Sequence, residues 1–149
     1  MTQAPLPSDE RRRPSIGVGA VVLKRNGAGV EVLLIRRGKP PRAGEWSIPG
    51  GRQEWGESVR ETAEREILEE TGVTVGGLKL LDVVDGISRA NGGVTAHWTL
   101  VDFRADWVAG EARPGDDAIE AKWVPVSEIG RYDLWTETQR IIAAAVALD

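Results

Sequence analysis

A short segment of the chain carries an unusual density of carboxylates. Seven of the seventeen residues from Glu54 to Glu70 are glutamate. Glu66 is followed by Glu69 and Glu70 at helical spacings of three and four, where each like-charge pair destabilises a helix by roughly 0.2–0.5 kcal/mol. No Lys or Arg follows in the last turn to relieve this repulsion, and the helix dipole disfavours acids there. Carboxylates that converge in this way suit a hard cation such as Mg²⁺ or Mn²⁺.

Part of this charge has a purely structural interpretation. Glutamate is a good helix former, and a face rich in Glu and Arg is usually just solvated. Ser58 and Glu61 fit a capping box at the start of a helix, and Glu61 with Arg65 forms a favourable i,i+4 pair. The repulsion that stays unexplained is confined to the three glutamates near the end of the helix.

The helix that must position these acids has clear limits in the sequence. Val59, Ala63 and Ile67 recur every four residues, so that one stripe can face a core. Gly72 fits the position after the last turn, where a positive φ is commonly required. The pattern therefore predicts a helix over residues 59–71.

The rest of the chain alternates between apolar runs and turn signals. The predicted strands cover residues 15–24, 30–37, 78–84, 96–103 and 119–126, with a short strand over 46–51 that ends in a turn. A final helix is predicted over 137–148, with Thr136 as its cap and Gln139 in the capping-box place. Strands on both sides of a central helix, followed by a terminal helix, predict an α/β sandwich with a mixed sheet. Residues 1–14, rich in Pro and Arg, are predicted to form a flexible leader before a single domain over 15–149.

The composition excludes several classes of protein. The 149 residues include no Cys, which rules out disulfides and thiolate metal sites and favours a reducing cytoplasm. A single histidine, His97, rules out a His-rich zinc site. The formal net charge of −4 argues against a nucleic-acid partner, and no apolar run approaches the roughly 20 residues that span a bilayer. The P-loop and G-x-S-x-G motifs are both absent.

The acidic segment resembles the signature of the Nudix hydrolase family, G-x5-E-x7-R-E-U-x-E-E-x-G-U, where U is a bulky aliphatic residue. Every fixed position is matched at the correct spacing, by Gly51, Glu57, Arg65, Glu66, Ile67, Glu69, Glu70, Gly72 and Val73. Nine fixed positions over 23 residues make this a very specific match. The flanking pattern over 16–148 is also similar to the family. The resemblance implies a Nudix-type α/β/α sandwich with a mixed central sheet.

The resemblance also implies an activity, the metal-dependent hydrolysis of the pyrophosphate linkage in a nucleoside diphosphate derivative, with Mg²⁺ or Mn²⁺ as cofactor. The implied metal ligands are the Gly50 carbonyl and the side chains of Glu66, Glu69 and Glu70. The general base is Glu66 or Glu69, unless it comes from outside the box, where the candidate acids are Asp116, Asp117 and Glu120. Glu57 and Arg65 are expected to form a supporting pair that holds loop to helix. Arg36 and Arg52 are candidates for phosphate contacts, and Trp46 is a candidate for stacking on a base.

The substrate is the least determined part of this interpretation. The general pattern resembles bacterial ADP-ribose pyrophosphatases, which makes ADP-ribose the leading expectation. The first alternative is a (d)NTP pyrophosphatase that clears damaged or surplus nucleotides. The second is a non-catalytic Nudix domain that senses a nucleotide, against which the intact box argues. No nucleic acid or membrane partner is expected, and the resemblance makes a homodimer plausible.

Overall fold

The computed structural model describes residues 12–40 and 42–148, so the predicted leader lies outside the described residues except for 12–14, which have no regular structure. The strands are β1 Ser15–Asn26, β2 Gly29–Arg37, β3 Trp46–Ser47, β4 Gly50–Arg52, β5 Thr74–Ala90, β6 Gly93–Ala109 and β7 Ala118–Pro125. The helices are α1 Val59–Thr71, a 3₁₀ helix at Val126–Tyr132, and α2 Thr136–Ala147. Within the described part of the chain, no helix is both long and apolar enough to cross a membrane.

The seven strands form one mixed sheet in the order β3-β2-β1-β6-β5, with β4 also paired to β1 and β7 to β2. Strands β1 and β6 run parallel, whereas the other pairs are antiparallel. One edge of β1 is divided between two partners, because Gly17–Gly19 pair with β4 and Leu23–Asn26 pair with β2. The predicted single strand over 46–51 is therefore two short strands, the second of which brings Gly50 against the middle of β1.

The side chains of β1 alternate between the two helical layers, as a strand buried on both faces requires. Ala20 and Val22 pack in one apolar cluster with Ile67 of α1. Val21 and Leu23 pack in another, which contains Ile141, Ile142 and Ala145 of α2. The predicted α/β/α sandwich with a mixed central sheet is confirmed, with α1 and α2 on opposite faces.

Helix α1 has the limits that its sequence predicts. Ser58 accepts a hydrogen bond from the Glu61 N–H, and the Glu61 carboxylate accepts one from the Ser58 N–H, which completes the capping box. Gly72 ends the helix with a φ of 73°. The predicted cap of α2 is wrong: the helix begins at Thr136, so that Trp135 is the N-cap residue, and its side chain has no acceptor for a cap bond. The Gln139 side chain donates to the carbonyl of Leu134.

Strands β5 and β6 are each 17 residues long, well beyond the strands that the sequence predicts for this region. They form an antiparallel hairpin closed by Asn91 and Gly92, both at positive φ. Register shifts interrupt the pairing at several points, including the segment between Gly76 and Lys79. Each shift breaks the alternation of apolar and polar residues, so that the true strand ends do not show in the sequence pattern.

Candidate functional site

Three carboxylates from two separate parts of the chain converge beside the end of α1. One side-chain oxygen from each of Glu66, Glu69 and Asp116 lies within 4.8 Å of the others. We refer to these three residues as the acidic cluster. Glu66 and Glu69 lie three residues apart on α1, about one helical turn, whereas Asp116 lies in the loop before β7.

The loop that carries Asp116 is fastened to the C-terminal end of α1. The N–H of Gly115 donates to the carbonyl of Glu70 at 3.0 Å, and the N–H of Arg113 donates to the carbonyl of Thr71 at 2.8 Å. These bonds satisfy carbonyls that the last turn of a helix leaves unpaired. A Cβ on Gly115 would lie 2.4 Å from the Glu69 carbonyl oxygen, so only glycine allows this approach. Gly115 is absent from the predicted site residues, and its only sequence signal is its place before Asp116.

Arg65 connects the acidic cluster to the loop before α1. Its guanidinium donates to both carboxylate oxygens of Glu57, with nitrogen–oxygen distances of 2.6 and 3.0 Å. It also donates to Glu66 at 2.8 Å and to Glu69 at 3.2 Å. Arg65 thus offsets part of the repulsion within the cluster. The predicted pair of Arg65 with Glu61 does not form, because the Glu61 carboxylate is used in the helix cap.

The environments of these acids shift their pKa values in opposite directions. The hydrogen bonds from Arg65, and then the one from the Thr62 hydroxyl, lower the pKa of Glu57 to about 2. Burial raises the pKa of Glu66, although Arg65 lies beside it. Burial also raises the pKa of Glu70 to about 7. Carboxylates that are costly to ionise are the groups that a bound cation stabilises most.

Glu70 and Gly50, which the sequence predicts to lie at one metal site, are in direct contact. The Gly50 N–H donates to a Glu70 side-chain oxygen at 2.8 Å, and only 6% of Glu70 is exposed. The acidic cluster contains Asp116 in addition to two of the predicted ligands, and Glu70 lies outside it. At the neighbouring Gly51, a Cβ would lie 2.2 Å from the carboxyl carbon of Glu66, so the glycine lets this side chain lie against β4.

The other predicted acids form ion pairs elsewhere. Asp117 lies 2.7 Å from Lys39, and Glu120 lies 3.1 Å from Arg36. Arg36 also donates to the carbonyl of Gly44 at 2.9 Å. Of the three accessory acids that the sequence suggests, only Asp116 lies in the acidic cluster.

The remaining candidates for substrate contacts lie on the α2 side of the sheet. The Arg52 guanidinium lies 5.3 Å from the centre of the Trp98 ring, while the Arg52 carbonyl accepts a bond from Arg65. Trp46 packs edge-on against Tyr132 at 5.1 Å between ring centres, with Lys122 over both rings. The structure therefore places Arg52 next to an aromatic ring near the site and uses Trp46 in packing.

The acidic cluster fits a hard divalent cation. Its donors are carboxylate oxygens alone, which Mg²⁺ and Mn²⁺ prefer over nitrogen or sulfur. The three carboxylates are contributed by a capped helix and by a loop that is hydrogen-bonded to the end of that helix.

Comparisons with known proteins identify the family of this chain. The model of the NUDIX domain family matches residues 13–145. The chain is similar to an ADP-ribose pyrophosphatase of Methanocaldococcus jannaschii, with 35% identity over 78% of the chain and 64% of that protein. It is also similar to an oxidized purine nucleoside triphosphate hydrolase of Danio rerio, with 31% identity over 71% of the chain and 65% of that protein. The chain thus spans less than two thirds of the length of either relative.

A solved structure extends the likeness to the fold. A MutT NUDIX hydrolase from Burkholderia pseudomallei is 32% identical and superposes with a TM-score of 0.76, covering 89% of this chain and 98% of that one. The family match includes the whole of α1, the Gly50–Gly51 turn and the loop that supplies Asp116. The chain belongs to the NUDIX domain family.

Proposed function

We propose that this protein is a metal-dependent pyrophosphohydrolase that cleaves the diphosphate linkage of a nucleoside diphosphate derivative, with ADP-ribose as the first candidate substrate. The observation that carries the proposal is the acidic cluster of Glu66, Glu69 and Asp116. A pyrophosphate and a group of carboxylates repel each other, so a substrate of this kind needs cations between the two.

The acidic cluster has a defined part in this chemistry. A bound Mg²⁺ or Mn²⁺ supplies charge neutralisation at the phosphoryl oxygens and a lowered pKa for water. Glu69 and Asp116 would hold the cation, and Glu70, whose carboxyl group accepts a hydrogen bond from the Gly50 N–H, lies beside them. Arg65 holds the carboxylates in place through its bonds to Glu66 and Glu69.

Glu66 is the better candidate for the general base. Its side chain is 13% exposed against 44% for Glu69, and burial raises its pKa, which makes its carboxylate a stronger base. Glu69, which is more exposed, suits cation binding instead. A variant that lacks the base and a variant that lacks a metal ligand should differ in their Mg²⁺ affinity. Glu66→Gln should lose turnover and keep most of its Mg²⁺ affinity, because Glu69 and Asp116 remain, whereas Glu69→Gln should lose both.

The candidate substrates have support from the relatives. The archaeal relative is named for ADP-ribose cleavage, and it is 35% identical to this chain. The zebrafish relative, named for hydrolysis of oxidised purine nucleoside triphosphates, supports the alternative of a (d)NTP pyrophosphatase. Both activities need the same cation site and differ in what lies beyond the diphosphate.

One assay separates the two candidates. The protein is incubated with Mg²⁺ and a panel of ADP-ribose, NADH, diadenosine polyphosphates and (d)NTPs, including 8-oxo-dGTP, and products are resolved by chromatography. Release of AMP and ribose 5-phosphate supports the first candidate. Turnover of triphosphates alone would replace it with the second. Tight binding of one nucleotide without any turnover would overturn hydrolysis in favour of a sensing role.

A homodimer is a further part of the proposal. Several large apolar side chains of β5 and β6 are 40–58% exposed, namely Leu80, Val83, Ile87, Val94 and Val108. Burial of such side chains between two copies would stabilise a dimer. Light scattering coupled to size-exclusion chromatography measures the mass directly, and a monomer at micromolar concentration would contradict this part of the proposal.

A further inference from the structure

Within the described part of the chain, strand β5 forms an edge of the sheet. The strand order ends at β5, which pairs with β6 alone. From Asp82 to Ser88 this pairing runs without a register shift. A regular antiparallel strand directs the N–H and C=O groups of alternate residues away from its partner. Such a row of groups at an edge is a template for one more strand.

The end of the β5–β6 hairpin projects beyond the rest of the sheet. The pairing of β1 with β6 begins at Trp98, so that residues 86–90 and 93–97 form a ribbon of two strands. A two-stranded ribbon is marginally stable in water, and three or more strands are needed for independent stability. The side chains of Ile87 and Val94 in this ribbon are 40% and 47% exposed. A third strand beside the ribbon would therefore stabilise it.

The side chains on this edge make two copies of β5 complementary to each other. Asp85, Ile87 and Arg89 alternate along the strand, so they share one face of the sheet. Asp85 and Arg89 are exposed, and neither takes part in the ion pairs found among residues 12–40 and 42–148. When a second β5 lies antiparallel with Ile87 opposite Ile87, Asp85 of each copy lies opposite Arg89 of the other.

The neighbouring registers lose this match. Pairing centred on Asp85 would place the two copies of this acid opposite each other, which is destabilising. Pairing centred on Gly86 would place Asp85 opposite Ile87. The register centred on Ile87 instead gives two Asp–Arg pairs around one Ile–Ile pair. On the other face it places Gly86 opposite Ser88, and these two residues are small enough to avoid a clash.

We infer that the chain forms a homodimer in which the β5 strands of two copies pair antiparallel about Ile87 and join the two sheets into one. This inference rests on the homodimer of the proposed function and identifies its interface. A two-fold axis relates the copies, so that each contact occurs twice. The N–H and C=O groups at the edge of one β5 then bond to those of the other, as in strand addition to a sheet.

Reversal of single charges tests this interface. The dissociation constant of the dimer is measured by analytical ultracentrifugation. Asp85→Arg should raise this constant about tenfold or more, because it replaces two Asp–Arg pairs with two Arg–Arg pairs. Arg89→Asp should do the same through two Asp–Asp pairs, whereas Arg89→Lys keeps the charge and should keep the dimer. Glu64→Arg, a charge reversal at an exposed position of α1, is the matched control and should leave the constant unchanged.

The two weakened variants should rescue each other. When Asp85→Arg and Arg89→Asp are mixed in equal amounts, position 85 of each chain faces an opposite charge at position 89 of the other, so a heterodimer should form. The double variant Asp85→Arg/Arg89→Asp should likewise recover the wild-type dissociation constant to within about threefold. A packing defect would not be repaired in this way. Absence of rescue in both experiments would overturn the inference.

Failure of the proposed function is distinguishable from failure of this inference. A wild-type protein that is monomeric at micromolar concentration would overturn the interface together with the homodimer, while the hydrolase proposal is decided by turnover. A dimer whose dissociation constant is the same in Asp85→Arg would overturn this interface alone. Circular dichroism establishes that each variant is folded.

Discussion

Arg65 and Glu57 form a two-point ion pair, with nitrogen–oxygen distances of 2.6 and 3.0 Å, that joins helix α1 to the loop before it. The same guanidinium reaches Glu66 and Glu69, so that one cation links the loop to the acidic cluster. These bonds depend on the planar, forked shape of the Arg65 guanidinium, which a lysine side chain lacks.

Arg65→Lys should therefore reduce activity by on the order of tenfold or more, because a lysine keeps the charge and loses the paired geometry that positions the carboxylates. The melting temperature should also fall. Arg89→Lys, at an exposed position on β5, is the control for the loss of a guanidinium group far from the cluster. Steady-state kinetics and thermal unfolding provide the measurements, and wild-type kcat in Arg65→Lys would contradict the positioning role.

Glu69→Gln should reduce turnover by about 10²-fold or more, because it removes a proposed cation ligand and leaves a neutral amide. Without metal, this variant should be at least as stable as the wild type, since one source of repulsion is gone. The rise in melting temperature on addition of Mg²⁺ should shrink. Glu64→Gln, an exposed residue on the same helix, should leave both the turnover and the Mg²⁺ shift intact.

Gly115→Ala should destabilise the protein by about 1–3 kcal/mol, because its methyl group would overlap the Glu69 carbonyl. Activity should fall as well, since the displaced loop carries Asp116. Gly130→Ala is a matched control, because a Cβ there would meet no atom within 4 Å. Denaturant unfolding of both variants measures the difference, and equal stabilities would show that the loop accommodates the methyl group.

Asp102 should make stability depend on pH in a predictable direction. Burial raises its pKa to about 6 in the folded protein, against an ordinary value of 3.8, so the folded state binds the proton more tightly. The resulting stabilisation is complete below pH 3.8 and is lost as the pH rises to about 6. Its full size is about 3 kcal/mol. The free energy of unfolding, measured from pH 4 to 7, should fall in the wild type relative to Asp102→Asn. If the two curves are parallel, the pKa of Asp102 is not raised in the folded protein.

The sequence predicts the catalytic helix well and its surroundings less completely. The caps of α1 are local, since Ser58, Glu61 and Gly72 act within one turn of the helix ends, and these limits agree with the structure. The partners of Arg65 are less local. Glu57 and Glu61 both lie within reach in the sequence, and only the folded loop decides between them.

Long-range contacts explain the rest of the difference. Asp116, Asp117 and Glu120 look alike in the sequence, and their separation depends on bonds between the loop and α1, and on pairing with Lys39 and Arg36. Asp102 carries no sequence signal at all. It reads as an ordinary polar position in a strand, and its burial depends on the parallel pairing of β1 with β6.

The fastening of the Asp116 loop to α1 uses main-chain groups on both sides. The donors are the amides of Arg113 and Gly115, and the acceptors are helix carbonyls. The attachment to α1 therefore requires a glycine at position 115 but no particular side chain. The rest of the loop sequence can therefore vary without loss of these bonds. We expect that a segment of different sequence would still deliver a carboxylate to the cluster if it keeps a glycine followed by Asp, which tolerates the positive φ of position 116. Such replacements would alter the cation site without altering the helix.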